Sequence, residues 1–349
     1  MKYTGELQDN RPKKLKDKDF DSREVDLGEI KYVTYKQAQK TAQAYVERNQ
    51  KSKSSCVPSS MCNALWHTEK EILSDEYLYT QRANKPQEGC WWHDIADKVL
   101  AQGTCKRSLL KEVFTEAEAN SVKLTLQQEA DAFLHRQSSY IWLKERDFNA
   151  IASAINAGYP VPFSIWANRN EWAREKPLVL DPKLTRDKST IHHAICAIPN
   201  TAYKTKDGFG FFITDSAHFG GFSKRDITKE FYEARHNAGL YFVDFEFAQP
   251  KKWVTPAKYK GYKFTRDLTV EMQGEDVKAL QEILKANGYF PKMNTTSFFG
   301  GITRQAVKDF QKDYEESILW SVGLKLPTGY FGKQSRRKIE ELLTAKFPS

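Results

Sequence analysis

Gln50-Lys-Ser-Lys-Ser-Ser-Cys56-Val-Pro58 is the stretch whose reading decides this chain. Gln50 to Ser55 is polar and lacks aliphatic residues, which predicts a loop. Pro58 suits the first turn of a helix, where a missing N–H costs nothing. Met61, Leu65 and Ile72 continue an apolar stripe beyond it. Cys56 is therefore expected at or just before a helix N-terminus, a position that favours the thiolate. Only the thiolate attacks carbonyls, so a cationic partner is expected from elsewhere in the chain.

Two downstream stretches supply candidates. His193 stands in Ile191-His-His-Ala-Ile195, and Asp215 in Phe212-Ile-Thr-Asp215-Ser216. Nucleophile, base and base-orienter thus occur in workable order, with hydrolysis of an amide or ester as the leading idea. His192 is a rival base, but neighbours on a strand face opposite sides, so one of the pair reaches a cleft. Cys62 reads as a small core residue, and His218 and His236 read as surface residues. Neither His-Glu-x-x-His nor paired Cys-x-x-Cys occurs, so no metal and no cofactor is expected. Trp91, Trp92, Trp142 and Trp166 read as core.

Around these residues the pattern changes once. Thr34 to Arg48 is helical, with Ala38, Ala42 and Val46 on one face. Leu73-Ser-Asp-Glu76 caps a helix through Arg82. Further helices are predicted over 95–100 and 148–156, stopped by Gly103 and Gly158. From Val161 the chain turns to short β-branched and aromatic runs: 161–166, 194–198, 210–214 and 241–247. Helices first and strands second predict an α+β unit with its cleft between the halves.

The chain has 349 residues, 40% hydrophobic, with a formal net charge of +9. That length suggests two or three domains. The charge suits an anionic partner such as a wall polymer, but no basic block argues for a nucleic-acid groove. Five cysteines without regular spacing argue against a disulfide scaffold, although Cys90 and Cys105 are a pair that export would allow to join. No apolar run is long enough for a membrane span. The start lacks the apolar core of a secretory signal, so synthesis in the cytoplasm is expected.

The region from about Arg48 to Phe247 resembles the papain-like cysteine peptidases. In that family a glutamine stands six residues before the nucleophile, as Gln50 does before Cys56. The family's base opens a His-Ala-Val-like strand, matched by His193-Ala-Ile195, and its Asn-Ser-Trp aligns with Asp215-Ser216-Ala217. The resemblance implies Cys56 as nucleophile, His193 as base and acid, Asp215 as orienter and Gln50 as oxyanion donor. Arg48-Asn-Gln50, Ser55-Cys-Val57 and Leu73-Ser-Asp-Glu-Tyr-Leu-Tyr79 look like the members found in phages. Two departures stand out. Aspartate replaces the usual asparagine, and Ala217 replaces the tryptophan that shields the histidine, which predicts a wetter pair.

The tail resembles the peptidoglycan-binding helical domain of wall hydrolases. Gly274-Glu-Asp-Val277, Leu280-Gln-Glu-Ile-Leu284, Phe299-Gly300 with Thr303, and Phe310-Gln311 carry the likeness. Phe331-Gly332 with Ser335 repeats the second element. Three short helices are expected, with Gly288 ending the first and Thr303 and Ser335 capping the others. The resulting layout is a charged extension (1–45), which is a candidate to block the cleft, a papain-like domain (46–247), a basic linker (248–264) and an all-α three-helix domain (265–349). The two resemblances together imply a thiol peptidase of phage type acting on peptidoglycan, at the cell wall or in a phage particle. A protease of protein substrates and a non-catalytic binding protein are the rivals.

Overall fold

The computed structural model of the chain describes residues 3–4, 6–7, 21–243, 253–291, 293–324 and 326–345. Its contacts divide into two units, one made of Met1–Asn10 with Leu27–Asp244, the other of Arg11–Asp26 with Phe245–Ser349.

The first unit opens with two short strands, β1 (Tyr3–Thr4) and β2 (Glu6–Leu7). Helix α1 (Tyr35–Gln43) follows, held at its start by a capping box between Thr34 and Gln37. Next comes α2 (Cys56–Glu69), whose residues Cys56 to Leu65 are all buried. It is buried on all sides because it runs between the two halves of the unit, touching α3 (Asp75–Tyr79) in one half and the sheet in the other. Ser74 caps α3 by accepting from the Tyr77 N–H, as its position before Asp75-Glu76 predicted. Strand β3 (Cys90–Trp91) leads into α4 (Trp92–Ala101), and α5 (Glu116–Ser121) and α6 (Leu126–Leu134) complete the helical half. The last two were not foreseen. On α6, Leu126 and Leu134 point to solvent, 84% and 76% exposed, which blurs the apolar stripe that periodicity relies on.

The second half is a sheet. Its strands are β4 (Ser139–Trp142), β5 (Val161–Ala167), β6 (Ile191–Ala197), β7 (Tyr203–Thr205), β8 (Gly208–Thr214), β9 (Lys224–Thr228) and β10 (His236–Val243). Helices α7 (Phe148–Asn156), α8 (Arg169–Trp172) and α9 (Lys229–Arg235) connect them. The order is β4-β10-β5-β6-β8-β7, with β9 beside β8 and β1 beside β6. All these pairings are antiparallel except that of β1, which runs parallel to β6. The α+β expectation therefore holds, with a helical half and a mostly antiparallel sheet, although α1, α7 and α9 pack on the strands of the second half. Buried residues of α2 share one core with Ala194 and Cys196 of β6, so the cysteine-bearing helix and the histidine-bearing strand are packed on each other. Met61 and Leu65, both fully buried in that seam, stabilise it by about 1.5–3 kcal/mol each.

The second unit is helical: α10 (Glu275–Ala286), α11 (Gly301–Asp313), a one-turn α-helix at Glu315–Ile318 beyond the three expected, and α12 (Lys333–Thr344). The repeat seen in the sequence is a repeat of hydrogen bonds. Gln281 donates to Thr303 Oγ1 at 2.9 Å and accepts from the Thr296 N–H; Gln311 donates to Ser335 Oγ at 3.1 Å and accepts from the Thr328 N–H. Thr303 and Ser335 are thus bonded in the first turns, not caps as expected. The cap positions belong to Gly300 and Gly332. At α11 the open backbone donors of Gly300, Ile302 and Thr303 converge on the carboxylate of Glu24.

Two expected boundaries move. Residues 27–45 lie with the first unit, because Ala38, Ala42 and Tyr45 pack on Ile198, Tyr203 and Phe212. The described part of the basic linker, 253–264, packs within the helical unit. Asn287 brackets Val254, and Tyr259 and Phe264 are buried. Residues 244–252 lie outside the described residues, including the end of the run expected over 241–247. Among the described residues no helix is long and apolar enough to cross a membrane.

Candidate active site

Cys56 is the first residue of α2, with Ser55 at the cap position. A helix of this length carries partial positive charge at its start, the field a thiolate needs. The loop before it is anchored from within. Lys53 is paired with Glu76 at 2.8 Å and donates to the Val113 carbonyl, and Arg48 faces Asp75 at 3.6 Å.

His193 lies on β6, which packs against α2, and the Cys56 thiol is one of the groups that act on its imidazole. Its Nε2 is 2.7 Å from Asp215 Oδ1. Burial alone lowers the basicity of His193, but the Asp215 charge and hydrogen bond, with the Cys56 contact, outweigh it and raise the imidazole to about 10. Asp215 is itself held below the usual carboxylate range: burial opposes this, and His193, Arg225 and the Ala217 N–H overcome it.

Gln50 belongs to the same cluster. Its backbone N–H donates to the Ser216 carbonyl, its side-chain oxygen accepts from Ser216 Oγ at 2.7 Å, and its amide donates one hydrogen to the Lys53 carbonyl at 2.9 Å. Residues 50, 56, 193 and 215, dispersed through the sequence, are therefore tied into one cluster. His192 turns the other way, to Ser189 Oγ and the Arg186 carbonyl, as strand alternation requires.

The sequence reading missed Arg225 and Trp172. Arg225, on β9, places Nε 3.0 Å from Asp215 Oδ2 and donates to the carbonyls of Trp172 and Phe219. Trp172, at the end of α8, stands edge-on to His193 with ring centres 6.4 Å apart, and its own ring lies beneath Arg225. The expected wetter pair is not what forms. His193 is 1% exposed and Asp215 0%, because Trp172 arrives from a different segment to do what Ala217 cannot. Register across the β8–β9 hairpin was the available signal for Arg225, since Ile213 pairs with it two residues before Asp215.

Another expectation fails at His236. It is fully buried, not on the surface, with its ring stacked 4.5 Å from Tyr232 and Nδ1 accepting from the Arg146 N–H. Burial, helped by Arg146, pushes it down to about 3. His218 is half-buried and bonded to the Arg48 carbonyl. All five cysteines are free and buried, Cys90 and Cys105 included.

The N-terminal strands pair with β6 and β3. In β1, Thr4 is opposite His192 on β6; in β2, Glu6 is opposite Cys90 on β3. Cys56 is fully excluded from solvent in this state.

Comparison with curated proteins finds no match to the sequence. Residues 273–315 match the family model described as "Putative peptidoglycan binding domain". Among solved structures, xylellain, a cysteine protease from Xylella fastidiosa, is similar at 14% identity, with a TM-score of 0.52 over 70% of this chain and 96% of that one. Digestive procathepsin L 3 of Tenebrio molitor larval midgut is 14% identical (TM-score 0.48, 62% of this chain and 71% of that one). The bromelain protease from Ananas comosus is 13% identical (0.45, 61% and 98%). With the geometry above, the xylellain match identifies the fold as papain-like, and the chain joins that fold to a C-terminal helical domain of the peptidoglycan-binding type.

Proposed function

We propose that the protein is a cysteine peptidase that cuts peptide bonds of cell-wall peptidoglycan, with its C-terminal helices holding it on the polymer. The observation that carries this reading is the chain of contacts from Cys56 at a helix start to His193 to Asp215. The Cys56 thiolate adds to the scissile carbonyl carbon. The negative oxygen so formed is met by the Cys56 backbone N–H and by the second amide hydrogen of Gln50. His193 then gives its proton to the leaving amine as the C–N bond breaks. It next takes a proton from water, which attacks the thioester, forms the new acid and frees the sulfur. Asp215 keeps the ring oriented and its cationic form stable throughout.

β1 and β2 act in this account as a self-inhibitory segment. β1 runs parallel to β6 beside His192, β2 runs parallel to β3 beside Cys90, and Cys56 is closed off from solvent. The net charge of +9 favours approach to an anionic wall. Tethering by the helical domain raises the local concentration of stem peptides.

The test is clearing of purified sacculi by the protein, compared with Cys56→Ala. The variant is expected to pellet with sacculi as well as the parent while clearing none. Equal clearing by both rules out the assignment.

A further inference from the structure

Glu6, on β2, carries a carboxylate only 3% exposed. Each of its oxygens has its own donor. Arg186 reaches Oε2 at 3.0 Å and Asn237 Nδ2 reaches Oε1 at 2.8 Å. These donors belong to the body of the fold, one in the turn Arg186–Lys188 and one on β10. The backbone carbonyl of Arg186 is fixed by Ser189 Oγ and by His192 Nε2, so its position is set by the strand that carries His193.

We propose that Arg186 and Asn237 form a carboxylate-binding subsite of the cleft, on the Cys90 side of Cys56, that selects substrates bearing a free acid there. This rests on the peptidase reading above and adds the substrate class. Among the described residues Glu6 is the sole ionic partner of Arg186. When the N-terminal strand leaves, a mostly buried guanidinium loses its counter-ion, and a carboxylate is the group that restores it, since a charge without a partner is costly to bury. Arg186 Nε is also buried without a partner, which leaves a third donor for the incoming group. A planar guanidinium beside an amide N–H₂ favours an acid over its carboxamide, because only the acid brings the negative charge that Arg186 pairs with.

The subsite is tied to the sulfur through Cys90. Glu6 is opposite Cys90 in the β2–β3 register, and Cys90 and Cys56 are fully buried members of one core cluster. A substrate residue paired with Cys90 directs its side chain to the same face as Glu6 whichever way the substrate strand runs, because successive side chains alternate along a strand.

The experiment uses the full chain with Glu6→Ala, to release the subsite, and Cys56→Ala, to prevent turnover. Calorimetry compares two synthetic wall stem peptides that differ only in a free acid or a carboxamide on the glutamyl residue. The acid is expected to bind at least about tenfold tighter. Adding Arg186→Gln should abolish that preference and Asn237→Ala should narrow it, with amide binding unchanged within about twofold and the thermal midpoint preserved. Equal binding of acid and amide, binding of neither, or a preference that survives Arg186→Gln overturns the subsite. If the acid preference holds but protein with Cys56 intact hydrolyses neither peptide, the subsite stands and the peptidase reading falls.

Discussion

Asp215 sits between His193 and Arg225, with Oδ1 2.7 Å from the imidazole and Oδ2 3.0 Å from the guanidinium. A buried carboxylate with one cation on each side does the work of an orienting amide without carrying uncompensated charge.

The pair predicts a pH profile. His193, raised to about 10, stays cationic well into the alkaline range, so kcat/KM should hold until pH approaches about 10 and fall as the ring deprotonates. Asp215→Asn removes the charge and should pull that limb down by about a unit or more in steady-state rates. The sign for stability is the same. A raised His193 contributes stability fully present below its ordinary value of 6.5 and lost as pH rises through about 10. Asp215, depressed, contributes stability present above its ordinary 3.8 and lost as pH falls through its lowered value. Urea midpoints across pH read both limbs.

Arg225→Met leaves the Asp215 charge half-paired in a dry site. It should cost about 3–5 kcal/mol in urea unfolding of the first unit. An unchanged midpoint would mean that the Asp215–Arg225 contact is incidental.

Gln50→Ala should lower kcat by about 10²–10³-fold with little change in KM, the mark of a donor used in the transition state. Because Gln50 also holds Ser216, the thermal midpoint is measured alongside. A loss confined to KM would assign the side chain to substrate binding.

Deleting residues 1–10 should raise kcat/KM by more than about tenfold in a peptide-hydrolysis assay, since it removes β1 and β2 from beside His192 and Cys90. Equal rates for the two forms would contradict self-inhibition.

Glu24→Ala strips the carboxylate from the start of α11 and should destabilise the helical unit by about 2 kcal/mol. Differential scanning calorimetry of the full chain resolves this as a shift in that unit's transition.

Much of this was legible in the sequence where chemistry imposes spacing. Cys56 had local signals, a polar run before it and a proline after it; Gln50, His193 over His192 and Asp215 could be named because their spacing resembles that of papain-like peptidases. Arg225 and Trp172 were not legible, because their roles depend on the register of a hairpin and on where a four-residue helix delivers its last side chain. His236 was misread for a similar reason. A histidine before Asn-Ala-Gly looks like turn, and only the stacking of α9 against β5 and β10 buries it. In the tail, the two Phe-Gly elements announced the repeat, but the carboxylate on α11 comes from Glu24, far off in a charged stretch without periodicity.

One measurement bears most directly on Cys56 as a nucleophile. Sacculi are digested with protein lacking residues 1–10 and with its Cys56→Ala counterpart, and the released wall peptides are read by mass spectrometry. The account predicts new peptide termini from the first protein and none from the second. Identical fragment patterns from both would contradict it.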